Sequence, residues 1–101
     1  MKLISLDEYT ELYQSLKDKY FDTILQIWDS ESTNPEKFIH EDLGIAAYLL
    51  LIWKQEALKQ PISFVDLGCG NGLLVYILFK EGHIGTGHDL RARKIWRFFQ
   101  V

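Results

Sequence analysis

The sequence predicts an α/β fold, with an all-helical front followed by β-α-β and the start of one more helix. Three observations predict it. Apolar residues recur at helical spacing through the first 60 positions. The period then changes to a short β-forming run, Ile62-Ser63-Phe64-Val65-Asp66-Leu67. A glycine cluster follows at once and opens another helical stretch, after which a second short strand ends on an acid. Alternation of this kind implies a parallel, doubly wound sheet. Such sheets are usually built from two three-stranded halves, so two strands make only the front of one. The expected division is an N-terminal helical segment, 1–60, leading into an incomplete domain whose first β-α-β is 61–101.

Each element has a local cause. Ser5-Leu6-Asp7-Glu8 reads as a capping box, in which Ser and Glu satisfy free backbone N–H groups at a helix start. Leu6, Tyr9, Leu12, Tyr13, Leu16 and Tyr20 then form a helical stripe, and Phe21, Ile24, Leu25 and Trp28 continue it, with or without a break near Tyr20. Residues 29–34 are polar and compete for backbone hydrogen bonds, so they read as a loop. Asn34 caps a new helix with Pro35 at its first position. The strongest helical signal spans 41–59, with Leu43, Ala46, Ala47, Leu50, Trp53, Ala57 and Leu58 near one face, and Gln60-Pro61 ends it. Gly72 to Glu81 reads as a helix that Gly82 terminates. Ile84-Gly85-Thr86-Gly87-His88 is the second strand, ending at Asp89, and helical propensity returns from Arg91.

Composition narrows the function classes. In 101 residues, 48% are apolar and 25% charged, the chemistry of a globular domain. One cysteine excludes an internal disulfide. The longest nearly uninterrupted apolar run, Leu43 to Trp53, has 11 residues, far short of the ~20 that span a bilayer, and reads as a buried helix. Charged residues interrupt the N-terminus before an apolar signal segment forms, which points to the cytoplasm and away from membranes. The net charge of −3 is a poor footprint for an independent nucleic-acid binder. It hides an asymmetry, with 6 Lys+Arg against 11 Asp+Glu in 1–60 and 5 against 3 in 61–101.

The chemistry lies in Asp66-Leu67-Gly68-Cys69-Gly70-Asn71-Gly72, with glycines at every second position between strand and helix. Glycine lacks Cβ and tolerates positive φ, so a ligand can lie against the turn. The dinucleotide fingerprint G-x-G-x-x-G is a near relative, but Leu73 stands at its third glycine and the extra glycine falls one residue earlier. Asp66, two residues before the first glycine, is awkward beside a pyrophosphate and suits a ligand bearing an ammonium group. S-adenosyl-L-methionine has such a group and no phosphate. Asp89, 23 residues after Asp66, ends the second strand, where a carboxylate can accept hydrogen bonds from both ribose hydroxyls. The competing explanation is a turn whose glycines serve packing alone.

These residues resemble the cofactor half of class I S-adenosylmethionine-dependent methyltransferases. Phe64 to Val75, Glu81-Gly82-His83 and Arg91-Ala92-Arg93-Lys94-Ile95-Trp96 are similar to the tRNA (uracil-2′-O-)-methyltransferase family, as are Asn34 to Phe38 and Glu41 to Leu50 upstream. The resemblance covers most of the chain. It implies a Rossmann-like fold, S-adenosyl-L-methionine as cofactor, tRNA as partner, and 2′-O-methylation of a uridine beside the variable arm of serine tRNA. It further implies that Asp66, Gly68, Gly70 and Gly72 hold the methionyl end and Asp89 the ribose. Family members continue well beyond this length, so the chain is expected to carry a front fragment of the fold. Two rival readings remain: a shortened, non-catalytic product, and a fragment binding a nicotinamide dinucleotide.

The remaining candidates have plain explanations beside their functional ones. Cys69 fills a position that demands a small residue, and no base or cation near it in sequence would activate a thiolate. His40, His83 and His88 lack metal-ligand spacing with one another or with Cys69. His88 stands where an apolar strand residue is expected, either as a neutral core side chain or as a weakness in the strand. Arg91, Arg93, Lys94 and Arg97 serve as phosphate contacts or as a solvated helix face. Tyrosines at helical spacing usually pack into a core. Glu41 and Asp42 either approach the cofactor ammonium or complement a helix dipole. No acid, base or nucleophile stands in a defined catalytic constellation.

Overall fold

A computed structural model of the chain describes residues 5–28, 34–56, 61–67 and 72–88. Residues 1–4, 29–33, 57–60, 68–71 and 89–101, among them Ala57, Leu58, Gly68, Cys69, Gly70 and Asp89, lie outside the described residues. The long helix expected over 41–59 ends earlier, at Gln55.

The first helix, α1, runs over Leu6–Ile27 without interruption, so the two apolar stripes belong to one helix. Ser5 caps it by accepting the Glu8 N–H at 3.4 Å. The second, α2, covers Pro35–Gln55 as one helix, joining the Asn34 cap to the long apolar stretch. Asn34 accepts the Lys37 N–H at 3.4 Å from a left-handed conformation, φ 53°, which Asn tolerates better than most residues. Strand β1 is Ser63–Leu67, helix α3 is Leu73–Lys80 and strand β2 is Ile84–His88. Gly82, at φ 99°, ends α3 as expected of a C-terminal glycine.

The strands pair in parallel, from Ser63 opposite Ile84 to Leu67 opposite His88. A single cluster of buried side chains joins the helices: Leu16 and Ile24 from α1, Ile39, Leu43, Ala46 and Ala47 from α2, and Leu73, Ile77 and Leu78 from α3. The tyrosines of α1 line this core and bond across it. Tyr9 donates to the Gly44 carbonyl at 3.1 Å, and the Tyr13 hydroxyl lies 2.7 Å from His40 Nδ1. Tyr20 donates to Glu81 at 2.5 Å, and Lys19 pairs with the same carboxylate at 3.2 Å, tying α1 to the end of α3.

Two expectations are corrected. The stretch Leu43–Trp53 is not buried all round: Ile45 is 47% and Tyr48 45% exposed. The helix is apolar on more than one face, and the described elements cover only the face bearing Leu43, Ala46 and Ala47. His88 is neither core nor strand-breaking. It is exposed at the end of β2, with Nε2 3.3 Å from the Thr86 hydroxyl.

Candidate cofactor site

Parallel pairing puts the carboxyl ends of β1 and β2 side by side, the edge at which open α/β sheets bind ligands. Asp66 sits there, half-buried in β1 opposite Gly87. Val65 points to the opposite, open face and is 62% exposed, so strand alternation turns Phe64 and Asp66 toward the helices. Phe64 is seated against Trp53 of α2, with ring centroids 6.2 Å apart.

Gly72 closes the turn between β1 and α3. It is buried, caps α3 and has φ 80°, a conformation open to glycine at little cost. This matches the reason for expecting glycine at that position. Gly68, Gly70 and Asp89 lie outside the described residues, and β2 ends on His88, the residue before Asp89.

A second acid feels the charge of Asp66. Asp42, on the second turn of α2, is half-buried, and its carboxyl is pushed up to about 6 by burial first, then by the charges of Asp66 and Glu41. The sequence placed Glu41 and Asp42 at a helix start with two readings open; the fold brings Asp42 within the field of Asp66, 24 residues away. His83 had no functional reading. It is buried in the turn before β2, where Nδ1 accepts the Ile62 N–H at 3.0 Å and the ring packs edge-on against Trp53 at 4.8 Å. Burial lowers its proton affinity, partly offset by Glu81. The bond from Ile62 requires an unprotonated Nδ1, so His83 aligns the start of β1 as a neutral ring.

Among the described residues no three His, Cys, Asp or Glu side chains are grouped to hold a metal ion, and no helix is long and apolar enough to cross a membrane. Among the described residues the carboxyl edge of the sheet carries one carboxylate, Asp66, with the positive-φ Gly72 at the start of α3. That chemistry fits a ligand with a cationic group and a close-lying backbone contact, and it fits S-adenosyl-L-methionine better than a pyrophosphate.

Comparison with known proteins agrees. The chain is 54% identical over 103 residues to a protein of Xenopus laevis named probable tRNA (uracil-O(2)-)-methyltransferase, covering 98% of this chain and 15% of that protein. A Homo sapiens protein with the same name is 52% identical, with 98% of this chain and 13% of that protein covered. The tRNA (uracil-O(2)-)-methyltransferase of Schizosaccharomyces pombe is 45% identical over 100 residues, covering 98% and 20%. The chain thus spans between 13% and 20% of the length of these relatives. No solved structure matches it. A family model described as a predicted AdoMet-dependent methyltransferase matches residues 3–101. A match that takes in the front helices as well as the glycine turn leaves no segment unaccounted for, and the chain belongs to this family, whose cofactor is S-adenosyl-L-methionine.

Proposed function

We propose that this chain is the front of a Rossmann-like methyltransferase domain and carries the first half of its S-adenosyl-L-methionine site. In this reading 1–60 lead into the domain and 61–101 supply its first β-α-β. Asp66 receives the methionyl ammonium, Gly68, Gly70 and Gly72 let the methionyl end lie against the turn, and Asp89 takes the ribose hydroxyls. The observation that carries the reading is the parallel pair β1–β2 with Asp66 at its carboxyl edge and a buried, left-handed Gly72 closing the turn. The cofactor supplies a methyl group on a sulfonium; the residues of this chain bind and orient it, and positioning is their contribution to rate.

The names of the relatives point to tRNA as the substrate of the whole protein. Resemblance to the 2′-O-methylating family narrows this to a uridine ribose of serine tRNA, in the cytoplasm. A non-catalytic role for the isolated chain draws on one observation, its short span of those relatives.

Calorimetric titration with S-adenosyl-L-methionine tests the reading. Saturable binding is expected, weakened about tenfold or more by Asp66→Asn, since a hydrogen bond to a charged group is worth ~1.5–3 kcal/mol. Asp89→Ala should weaken it independently, and NAD should not compete. A folded chain that binds NAD in place of S-adenosyl-L-methionine overturns the reading. Transfer to tRNA is to be assayed on a protein that extends to the length of the relatives.

A further inference from the structure

Three elements converge on the ring of His83, which lies in the turn between α3 and β2 and is 5% exposed. Its backbone N–H donates to the Leu78 carbonyl of α3 at 3.0 Å. Nδ1 accepts the N–H of Ile62, the residue just before β1 begins, at 3.0 Å. The ring makes a T-shaped contact with Trp53 of α2, centroids 4.8 Å apart.

Both ring contacts lead to β1. The Ile62 carbonyl accepts the Ile84 N–H at 2.9 Å, beside the Ser63–Ile84 pair, so the residue that His83 holds opens the ladder between the strands. Trp53 seats Phe64, and Phe64 stands two residues before Asp66 on the same face of β1. His83 therefore holds the strand that presents Asp66 at its first amide and through its aromatic neighbour.

This hold requires a neutral ring. Nδ1 accepts an N–H only while it carries no proton, and in the imidazolium both nitrogens donate. A proton added at Nδ1 sets donor against donor at Ile62 and places a charge in a buried, aromatic seat. Among the described residues, α2 presents the uncharged Trp53 to the ring and the entry to β1 presents an amide. The charge that bears on the ring is Glu81 at the end of α3, a carboxylate already engaged by Tyr20 and Lys19 of α1.

We propose that His83 is a positioning residue for the cofactor site: its neutral ring seats β1 and with it Asp66, and a proton added at Nδ1 unseats the strand and weakens S-adenosyl-L-methionine binding. This rests on the reading of Asp66 and the glycine turn given above. It makes cofactor capture acid-sensitive through a group that does not touch the ligand.

The test follows S-adenosyl-L-homocysteine binding to the full chain by calorimetry from pH 7 to pH 5. NMR of the histidine rings and the Ile62 amide runs in parallel, and the amide spectrum checks folding at each pH. The α-carboxyl and α-amino groups of this probe keep their charges across the range. Affinity should fall by up to tenfold per pH unit below the His83 midpoint, the slope of one proton. The Ile62 amide should shift with the same midpoint, and saturating probe should move that midpoint to lower pH, because linkage is reciprocal. His83→Asn supplies a carbonyl oxygen near the place of Nδ1 and does not titrate. It should bind at pH 7 nearly as wild type does and lose nothing in acid, whereas His83→Leu should bind weakly throughout. Asp42 also titrates near 6, and Asp42→Asn should keep the acid loss. Equal affinity of the folded wild type at pH 5 and pH 7, or an acid loss that persists in His83→Asn, overturns the role of His83 and leaves the Asp66 site standing. The wild-type series decides the matter even where a variant fails to fold. A folded wild type that binds no probe at pH 7 overturns the cofactor reading and this assignment with it.

Discussion

Asp42 and His83 titrate in opposite directions, and their signs follow from where each proton is held. Asp42 is pushed up from 3.8 to about 6, so between these values the folded chain keeps a proton that the unfolded chain has lost. Stability therefore falls as pH rises through that window and stays lower above it. His83 is lowered from 6.5, so the unfolded chain protonates first, and stability falls as pH drops below 6.5. Asp42→Asn separates the two. The variant should match wild type below pH 4 and exceed it at pH 7.5 by on the order of 1–3 kcal/mol, a range that allows for partial solvent screening. Urea denaturation at both pH values measures this, and equal stability at pH 7.5 would show that neither burial nor the neighbouring charges raise Asp42.

At the scale of elements, the attachment of β1 to α2 positions Asp66, and it depends on a glycine in the neighbouring strand. Gly85 pairs with Phe64, and a Cβ there would stand 2.4 Å from the Phe64 ring. The ring is held from the other side by Trp53, so it has little room to yield. Gly85→Ala should destabilise the chain by ~1–3 kcal/mol, the usual cost of overpacking, and should weaken S-adenosyl-L-methionine binding without touching the ligand. Thermal denaturation alongside calorimetry checks both; an unperturbed Tm would show that Phe64 has another seat. The far end of the assembly has a different lock. Tyr20 is held protonated by burial and by its bond to Glu81, so the Tyr20–Glu81–Lys19 group ties α1 to the end of α3 at neutral pH.

Taken whole, the described elements leave apolar surface uncovered. On the open face of the sheet Val65 is 62% and Ile84 60% exposed, in adjacent strands. On α2, Ile45 and Tyr48 project away from the core. A two-stranded sheet with one bare face presents both apolar area and strand edges to other molecules. The chain should therefore self-associate with rising concentration, and Val65→Lys together with Ile84→Lys should shift it toward monomer with the helical content retained. Sedimentation velocity across a concentration series decides this. A wild type that stays monomeric at high concentration would show that residues beyond those described cover the face.

Much of the local architecture was legible in the order of residues, because it rests on short-range physics. Ser5 and Asn34 announce two helix starts through their side-chain oxygens, Gly82 announces a helix end through its backbone freedom, and the change of period at Ile62 marks β1. The same holds for Gly72, where the need for positive φ selects glycine wherever the chain later goes. Only tertiary structure decided which of these pieces meet. Asp42 entering the field of Asp66, His83 receiving the Ile62 N–H and Tyr20 reaching Glu81 across 61 positions carry no periodic signal, since each depends on how whole helices pack on a sheet. The reading of Leu43–Trp53 as a buried helix holds for one face only, for the same reason. Apolar character along a helix states that a face can be buried, and the packing partners determine which face is.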